Sequence, residues 1–420
     1  MDVFKFGGAS INSVERIKST ADIVKRVPHS KVLVIVSAMG KTTNALEKIA
    51  ETYFGGDRDE AILLFEKIKQ DHLKVLEGLA VRDIKNAQKN LNALFTEIEW
   101  MLHDKPVRSF DYYYDQIVCV GELLSSTIFS LYLSETGLKN QWIDVRDVIR
   151  TDDNFRDAGI DWDFTDMKIK EIVLPFFEKH DIVISQGFIG ATDENESTTL
   201  GREGSDYTAA IFSNLLHAKS VTIWKDVEAV MNADPRIFAD AVNISELSYA
   251  EVIEMAYYGA QVIHPKTIKP LQNKNIPLYV KSFLDPTLKG TIINNTSQKN
   301  IPPVIILKQN QVLMSFKSRD FSFVEDKPVE QLHEIFTRIK VKSNLSQHTA
   351  ISLLCCFDDH AEKIPKVAEE AALLFDVSVE KGLTLLTIRH YDEEVIKGLT
   401  KKKCIVLEQK TLETIQMVMR

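Results

Sequence analysis

The chain has 420 residues, 45% of them hydrophobic, which is material for about two to four domains with substantial cores. A formal net charge of -9, with acidic and basic residues mixed along the chain, excludes a broad basic face for nucleic acid. No apolar run approaches bilayer-spanning length, and the first residues enter a folded pattern without the layout of a signal peptide. The cysteines Cys119, Cys355, Cys356 and Cys404 form no CxxC pair, so a cytoplasmic protein with reduced, mostly buried thiols is expected, without nucleic-acid or membrane partners.

Val3–Phe6 predicts a strand that ends in Gly7-Gly8, and Val14–Val27 has helical spacing with Ser13 as its cap. Val32–Val36 is a continuous apolar run, the mark of a strand buried on both faces. Asp181–Ser185, Val221–Trp224 and Pro277–Val280 repeat that character. Strands alternating with helical patterns predict an α/β/α sandwich around a mainly parallel sheet, whose ligands collect at the carboxyl ends of strands. Residues 58–103 are rich in Lys, Glu, Leu and Ile and predict a helical insertion with a solvated charged face.

Polar residues from Asn294 lead to Ile301-Pro302-Pro303, a linker signal. After it the expected order is strand Val312–Phe316, helix Val329–Ile339, strands Lys340–Leu345 and Thr349–Phe357, helix Ile364–Phe375 and strand Val377–Glu380. That βαββαβ order describes a ferredoxin-like domain. A shortened unit follows: strand Leu383–His390, helix Glu393–Thr400, strand Cys404–Glu408 and a last segment Thr414–Met419. The expected domains are therefore 1–298, 304–380 and 381–420, the last of them completed by segments of its neighbour.

The residues with chemical meaning cluster where strands meet helices. Lys5-Phe6-Gly7-Gly8-Ala9-Ser10 sets a mobile cation beside glycines that let backbone approach an anion. Ser37 to Asn44 contains Gly-Lys-Thr, but a phosphate-binding P-loop needs a further glycine where Ile35 stands in mid-strand. What remains there is a polar loop with hydroxyls on Ser37, Thr42 and Thr43, or a helix cap at Thr43 and Asn44. Glu122 opens a helix, where it suits the helix dipole or serves a substrate ammonium. In Thr198 to Tyr207, Gly201 and Gly204 bracket Arg202 and Glu203, and Asp206 follows before a helix at Tyr207–Leu216. Arginine grips a carboxylate in a fork, aspartate accepts from an ammonium, and a helix N-terminus favours an anion. The loop suits a zwitterionic amino acid or a phosphate, unless Ser205 or Asp206 simply caps the helix. Asp226 and Arg236 lie in a long loop after a strand, a place for a nucleotide or for plain turn residues. His264, before a proline, reads as a structural hydrogen-bonder. No zinc cluster, nucleophile elbow or dinucleotide turn is present in the sequence, which disfavours hydrolases and oxidoreductases.

In order, these motifs resemble the amino acid kinase family and, within it, the aspartate kinases. The carriers are Lys-Phe-Gly-Gly-x-Ser at 5–10, Val-Gly-Glu at 120–122, Thr-Thr-Leu-Gly-Arg-x-Gly-Ser-Asp at 198–206, Trp-x-Asp-Val at 224–227, Asp-Pro-Arg at 234–236 and Gly-Ala-x-Val-x-His-Pro at 259–265. The resemblance covers residues 1 to about 295, and the tail resembles paired ACT regulatory domains in pattern. It implies that ATP, carried with Mg²⁺, phosphorylates the β-carboxylate of L-aspartate, with no general base required. Lys5 and Asp206 are then the catalytic pair. Ser37, Thr43, Glu122 and Arg202 hold aspartate: Glu122 takes the ammonium and Arg202 the α-carboxylate. Gly7, Gly8, Ser10, Lys225, Asp226, Met231, Arg236 and Gln261 fall to the nucleotide. The resemblance also implies a homodimer or higher homo-oligomer through the ACT-like region and feedback by an amino acid, lysine or threonine, with Asn344 and Gln347 as effector contacts or turn residues.

The sequence departs from the pattern at several points. Ala9 replaces a usual threonine, Glu203 a usual glycine, Met231 an aromatic residue and Gln261 a lysine. Lys225, where threonine is frequent, is a candidate to restore the charge that Gln261 lacks. Glu203 is expected to face solvent or to pair with a cation. The loop Ser318–Pro328 lacks the clear glycine of an effector-binding turn. The rival readings are a glutamate or acetylglutamate kinase and a catalytically silent amino-acid-sensing subunit. A fused homoserine dehydrogenase is not expected in the residues after the linker.

Overall fold

The computed structural model describes residues 1–26, 31–296, 301–319 and 326–420. Two compact units emerge, one formed by 1–230, 245–253 and 262–298, the other by 231–244, 254–261 and 299–420.

In the first unit, β1 (Asp2–Phe6) runs between β2 (Val32–Val36) and β7 (Ser220–Lys225), parallel to both. Beyond β2 come β4 (Ile182–Gln186) and β3 (Asn140–Trp142), again parallel. Beyond β7 lie Leu278–Ser282, Thr291–Asn294 and Glu246–Ser248, which complete an eight-stranded sheet with one antiparallel pairing. Every residue of Val32–Val36 is buried, as a strand covered on both faces requires. The chain leaves β1 toward β2 on one side, while β7 flanks the other. That is the topological switch point where open α/β sheets place their ligands.

The helices that matter to the site are α2 (Thr42–Phe54), α5 (Phe110–Val118), α6 (Val120–Glu135) and, later in the chain, Gly204–Leu215. Helix α1 (Val14–Lys25) is capped by Ser13, whose hydroxyl accepts from the Arg16 amide at 3.3 Å. The expected insertion is a pair of helices, α3 (Arg58–Gly78) and α4 (Ile84–His103), joined through edge-to-face Phe65 and Phe95. Phe110–Glu135 is long and apolar enough by composition to cross a bilayer, which the sequence reading did not detect. Its apolar window is 78% buried inside the fold, so it is the core helix of this unit.

The second unit is built on a six-stranded antiparallel sheet in the order Leu345–His348, Ser352–Asp358, Val304–Ser318, Phe375–Arg389, Thr414–Met419, Ile405–Lys410. Helices Asp326–Ile339 and Lys363–Ala371 belong to one half, and the amphipathic helix Glu393–Thr400 to the other. Strands expected at Val377–Glu380 and Leu383–His390 are one strand that passes through both halves. Its partner is equally long, and the register shifts near Gln311 absorb Gly382 and Asn310 as irregularities within the ladder. The strand expected at Lys340–Leu345 begins only at Leu345, because Lys340 takes φ +56 at the end of its helix. Cys355 and Cys356 are buried in a strand, and Cys404 is exposed. The loop Ser318–Pro328, which lacks the glycine of an effector-binding turn, lies partly outside the described residues, at 320–325.

Candidate active site

A cleft of about 560 Å³ opens at the carboxyl ends of the central strands. Lys5 from β1, Ser37, Ala38 and Gly40 after β2, Phe188 after β4 and Lys225 from β7 all line it. The two central loops are locked together. The Ser37 amide donates to Phe6 O at 3.1 Å and the Gly40 amide to Gly8 O at 3.0 Å. A Cβ on Gly8 would stand 2.6 Å from Ala38 O, so only glycine permits this approach.

Lys5 Nζ lies 2.6 Å from Asp206 Oδ1, with the side chains 12% and 4% exposed. Burial alone would raise the Asp206 carboxyl, but Lys5 and then Lys225 outweigh it and hold the group below its ordinary range. Asp206 sits in the first turn of Gly204–Leu215 and forms no cap there. The capping alternative for Ser205 and Asp206 is therefore not realised: the helix begins earlier, behind Glu203.

Glu122 is buried in the first turn of α6. Its Oε1 accepts from the Ala38 amide at 3.3 Å, and Oε2 has no hydrogen-bond partner among the described residues. Burial pushes the carboxyl up to about 8, against the lowering by the Ala38 amide, its own amide and Lys5. One turn on, Ser125 Oγ donates to Ser37 O at 2.7 Å, so α6 fastens the loop that it flanks. Arg202 lines the same cleft, exposed and without a hydrogen bond or ion pair among the described residues. An orphaned carboxylate and a free guanidinium in one cleft suit an ammonium and a carboxylate.

Lys5, Gly8, Ser37, Thr43, Glu122, Arg202, Asp206 and Lys225 are thus brought together. Lys225 Nζ donates to Val262 O at 2.8 Å. The other expected nucleotide residues are not among the lining residues. A Cβ on Gly7 would come 3.6 Å from Lys5 Nζ, and buried Ser10 donates to Gly7 O at 2.6 Å. Asp226 and Gln261 are exposed and Met231 is half-buried. Arg236 is exposed and forms a two-point pair with Asp234, Nε–Oδ1 3.0 Å and Nη2–Oδ2 2.7 Å, which is the turn arrangement. His264 is the structural hydrogen-bonder expected of it, its Nδ1 accepting from the Lys266 amide.

Glu203 neither faces solvent nor pairs with a cation. At φ +53 it precedes the helix, and its Oε2 accepts from the His264 amide at 2.8 Å. In the second unit, Asn344 is engaged on both sides. Its Oδ1 accepts from Lys308, and its Nδ2 donates to Gln311 and Asp358. Gln347 lies on an edge strand with Oε1 buried and without a hydrogen-bond partner among the described residues.

Three lining residues lie outside the motifs: Tyr114, Arg156 and Phe188. Asp115 organises Arg156 and, within a motif, Thr199. Fully buried, it accepts from the Arg156 amide at 3.0 Å, the Thr199 amide at 2.8 Å and Thr199 Oγ1 at 2.7 Å. Burial raises its carboxyl to about 6 despite those donors. A carboxylate on the buried face of an apolar helix was the available signal.

The model of the amino acid kinase family matches residues 2–282. The chain belongs to the amino acid kinase family. Among its relatives, lysine-sensitive aspartokinase 3 of Escherichia coli is 32% identical over 416 residues, 97% of this chain and 90% of that protein. The structure of E. coli aspartokinase III in complex with lysine and aspartate covers all of this chain and 95% of its own at 29% identity, with a TM-score of 0.83. The same enzyme with aspartate and ADP gives a TM-score of 0.79 over the whole chain, and 96% of its own. The parallel sheet and the C-terminal antiparallel sheet expected from sequence are those of this family.

Proposed function

We propose that the chain is an aspartate kinase that transfers the γ-phosphoryl group of MgATP to the β-carboxylate of L-aspartate. The reading rests on one observation above others: a buried, half-unpartnered Glu122 and a free Arg202 share a cleft with the Lys5–Asp206 pair. The close match to an enzyme solved with aspartate and ADP supports it.

Glu122 receives the ammonium and Arg202 the α-carboxylate, so the β-carboxylate is left to face the nucleotide. That carboxylate is ionised at neutral pH and needs no base. Catalysis is then positioning and charge stabilisation. Lys5 meets the phosphoryl oxygens, steadied by Asp206, while Gly8 N–H and the loop at Ser37 and Thr43 crowd the same edge. Lys225 supplies a further cation on the β7 side. Mg²⁺ bound with the nucleotide would supply neutralisation of the phosphate charge. Among the described residues no three His, Cys, Asp or Glu side chains form a metal cage, and phosphate-borne Mg²⁺ requires none. The product, 4-phospho-L-aspartate, feeds the lysine, threonine and methionine routes.

We further propose a cytoplasmic enzyme that pairs with a second copy through its C-terminal sheet, whose outer strands Leu345–His348 and Ile405–Lys410 are edges. Lysine is the first effector to assay, because the E. coli relative is lysine-sensitive by name. The deciding experiment is hydroxamate formation with ATP and aspartate, beside glutamate and acetylglutamate. Aspartate-dependent product is expected. Turnover of glutamate or acetylglutamate alone selects a different carboxylate kinase, and no turnover with any of them selects a silent sensing subunit.

A further inference from the structure

Arg156 lines the cleft from a loop that no motif marks. Its backbone lies in the left-handed region at φ +71, which glycine enters freely and arginine does not. Such strain persists only where the surroundings over-determine it, and it gathers at functional sites. Two contacts impose it here. The Arg156 amide donates to buried Asp115, and its carbonyl packs so closely on Gly201 that a Cβ there would come within 3.2 Å.

The side chain rests on aromatic rings, its guanidinium carbon 4.3 Å from the Tyr114 centroid and 5.6 Å from that of Phe110. Its ion pairs are loose: Asp111 at 3.3 Å and Glu47 at 3.6 Å, with partner side chains 55% and 39% exposed. Pairs so exposed hold weakly, and a better-placed anion displaces them. Glu47 is one helical turn beyond Thr43, which lines the cleft, and Gly201 immediately precedes Arg202. Arg156 therefore meets the cleft with its head beside the Thr43 helix and its backbone against the Gly201–Arg202 turn, next to residues assigned to the amino acid.

We propose that Arg156 is a second carboxylate-binding residue of this cleft, joining Arg202 on the α-carboxylate of the bound amino acid. The inference rests on the aspartate-kinase reading. One carboxylate has enough lone pairs for two guanidinium forks, and a planar fork on an aromatic shelf loses little freedom on binding. The aromatic platform and the imposed backbone aim the group before substrate arrives. Asp111 and Glu47 are released to solvent as it engages.

The test compares Arg156→Gly and Arg156→Lys with the wild-type protein. Arg156→Gly should raise both the KM and the calorimetric Kd for aspartate roughly tenfold, the loss of one charge-assisted contact. The KM for ATP should stay within about twofold, since that contact is absent from the nucleotide. The melting temperature should not fall, because glycine accepts the backbone. Arg156→Lys should recover part of the aspartate affinity. β-Alanine, which is aspartate without the α-carboxylate, should inhibit wild type and Arg156→Gly equally. Unchanged aspartate binding in Arg156→Gly overturns the inference, as does an equal loss for ATP or for β-alanine. A wild-type protein that neither binds nor phosphorylates aspartate overturns the kinase reading as well, and with it this one.

Discussion

Lys5 Nζ and Asp206 Oδ1 stand 2.6 Å apart at the floor of the cleft, one on a strand and the other in the first turn of a helix. The pair joins two roles. It fixes the cation proposed to meet the phosphoryl group, and it ties the helix to the sheet. Lys5→Ala should lower kcat roughly 100- to 1,000-fold, as loss of one preorganised charge does, with little change in KM for aspartate. Asp206→Ala should also cost stability, about 3–5 kcal/mol, because it strands a buried charge. Urea unfolding of both variants separates the roles, and a Lys5→Ala enzyme with unchanged kcat sinks the catalytic one.

Glu122 gives the protein a distinctive pH dependence. Its carboxyl sits at about 8 when folded and at the ordinary 4.5 otherwise. Between those values the folded chain keeps a proton that the unfolded chain has released. Its contribution to stability therefore falls as pH rises through that window and levels off above about 8. Glu122→Gln should remove this slope from unfolding free energies measured across the window. Aspartate, bringing an ammonium, should pull the group to its ionised form. Binding at neutral pH then releases a proton, visible by calorimetry in buffers of different ionisation enthalpy. Binding without proton release would contradict the assignment of Glu122 to the ammonium.

Much of the cleft's lining was legible because its signals are local. Gly7-Gly8 after a buried strand, Glu122 at a helix start and Arg202 to Asp206 around Gly204 each announce a strand or helix end. The continuous apolar run Val32–Val36 likewise fixed a central strand. Tertiary encounters were not legible. Nothing near Arg156 says that its amide will meet Asp115, forty-one positions earlier. Lys381-Gly382 reads as a turn, and only the equally long partner strand makes it an irregularity within one strand. Asp-Pro-Arg leaves a nucleotide contact and a turn pair equally open, and Arg236 makes the turn pair with Asp234.

Asp115 should act as a positioning residue. It is not among the residues that line the cleft, but it holds the backbone of Arg156 and Thr199. Asp115→Asn puts an amide where three donors converge, leaving at least one unpaired at a cost of about 1–3 kcal/mol. The variant should also raise the KM for aspartate, with kcat less affected. Equal stability and equal KM in wild type and variant would show that these donors find other partners.

Glu203 combines a left-handed backbone at φ +53 with a bond to the His264 amide. Glu203→Ala loses the acceptor and keeps the strain, so it should destabilise by about 1–2 kcal/mol. Glu203→Gly loses the same acceptor but relieves the strain, and Glu203→Gln retains an oxygen for the amide. The expected stability order is Gln above Gly above Ala, read from denaturation midpoints. Alanine ranking level with glutamine would mean that the His264 contact contributes nothing.

Lys225 is the remaining cation of the cleft, and its neighbours decide what it does. Its Nζ donates to Val262 O, one residue past Gln261, where a lysine is usual in this family. Its charge is also felt by Asp206, second only to that of Lys5. The lysine on β7 is therefore the residue proposed to serve the phosphates in place of the missing one. Lys225→Ala should raise the KM for ATP roughly tenfold, the value of one phosphate contact, and leave that for aspartate within about twofold. Lys225→Ala paired with Gln261→Lys should restore ATP affinity if the two positions serve the same phosphates. A single variant with an unchanged ATP KM rules the compensation out. A rise in the aspartate KM alone would place Lys225 at the amino-acid end instead.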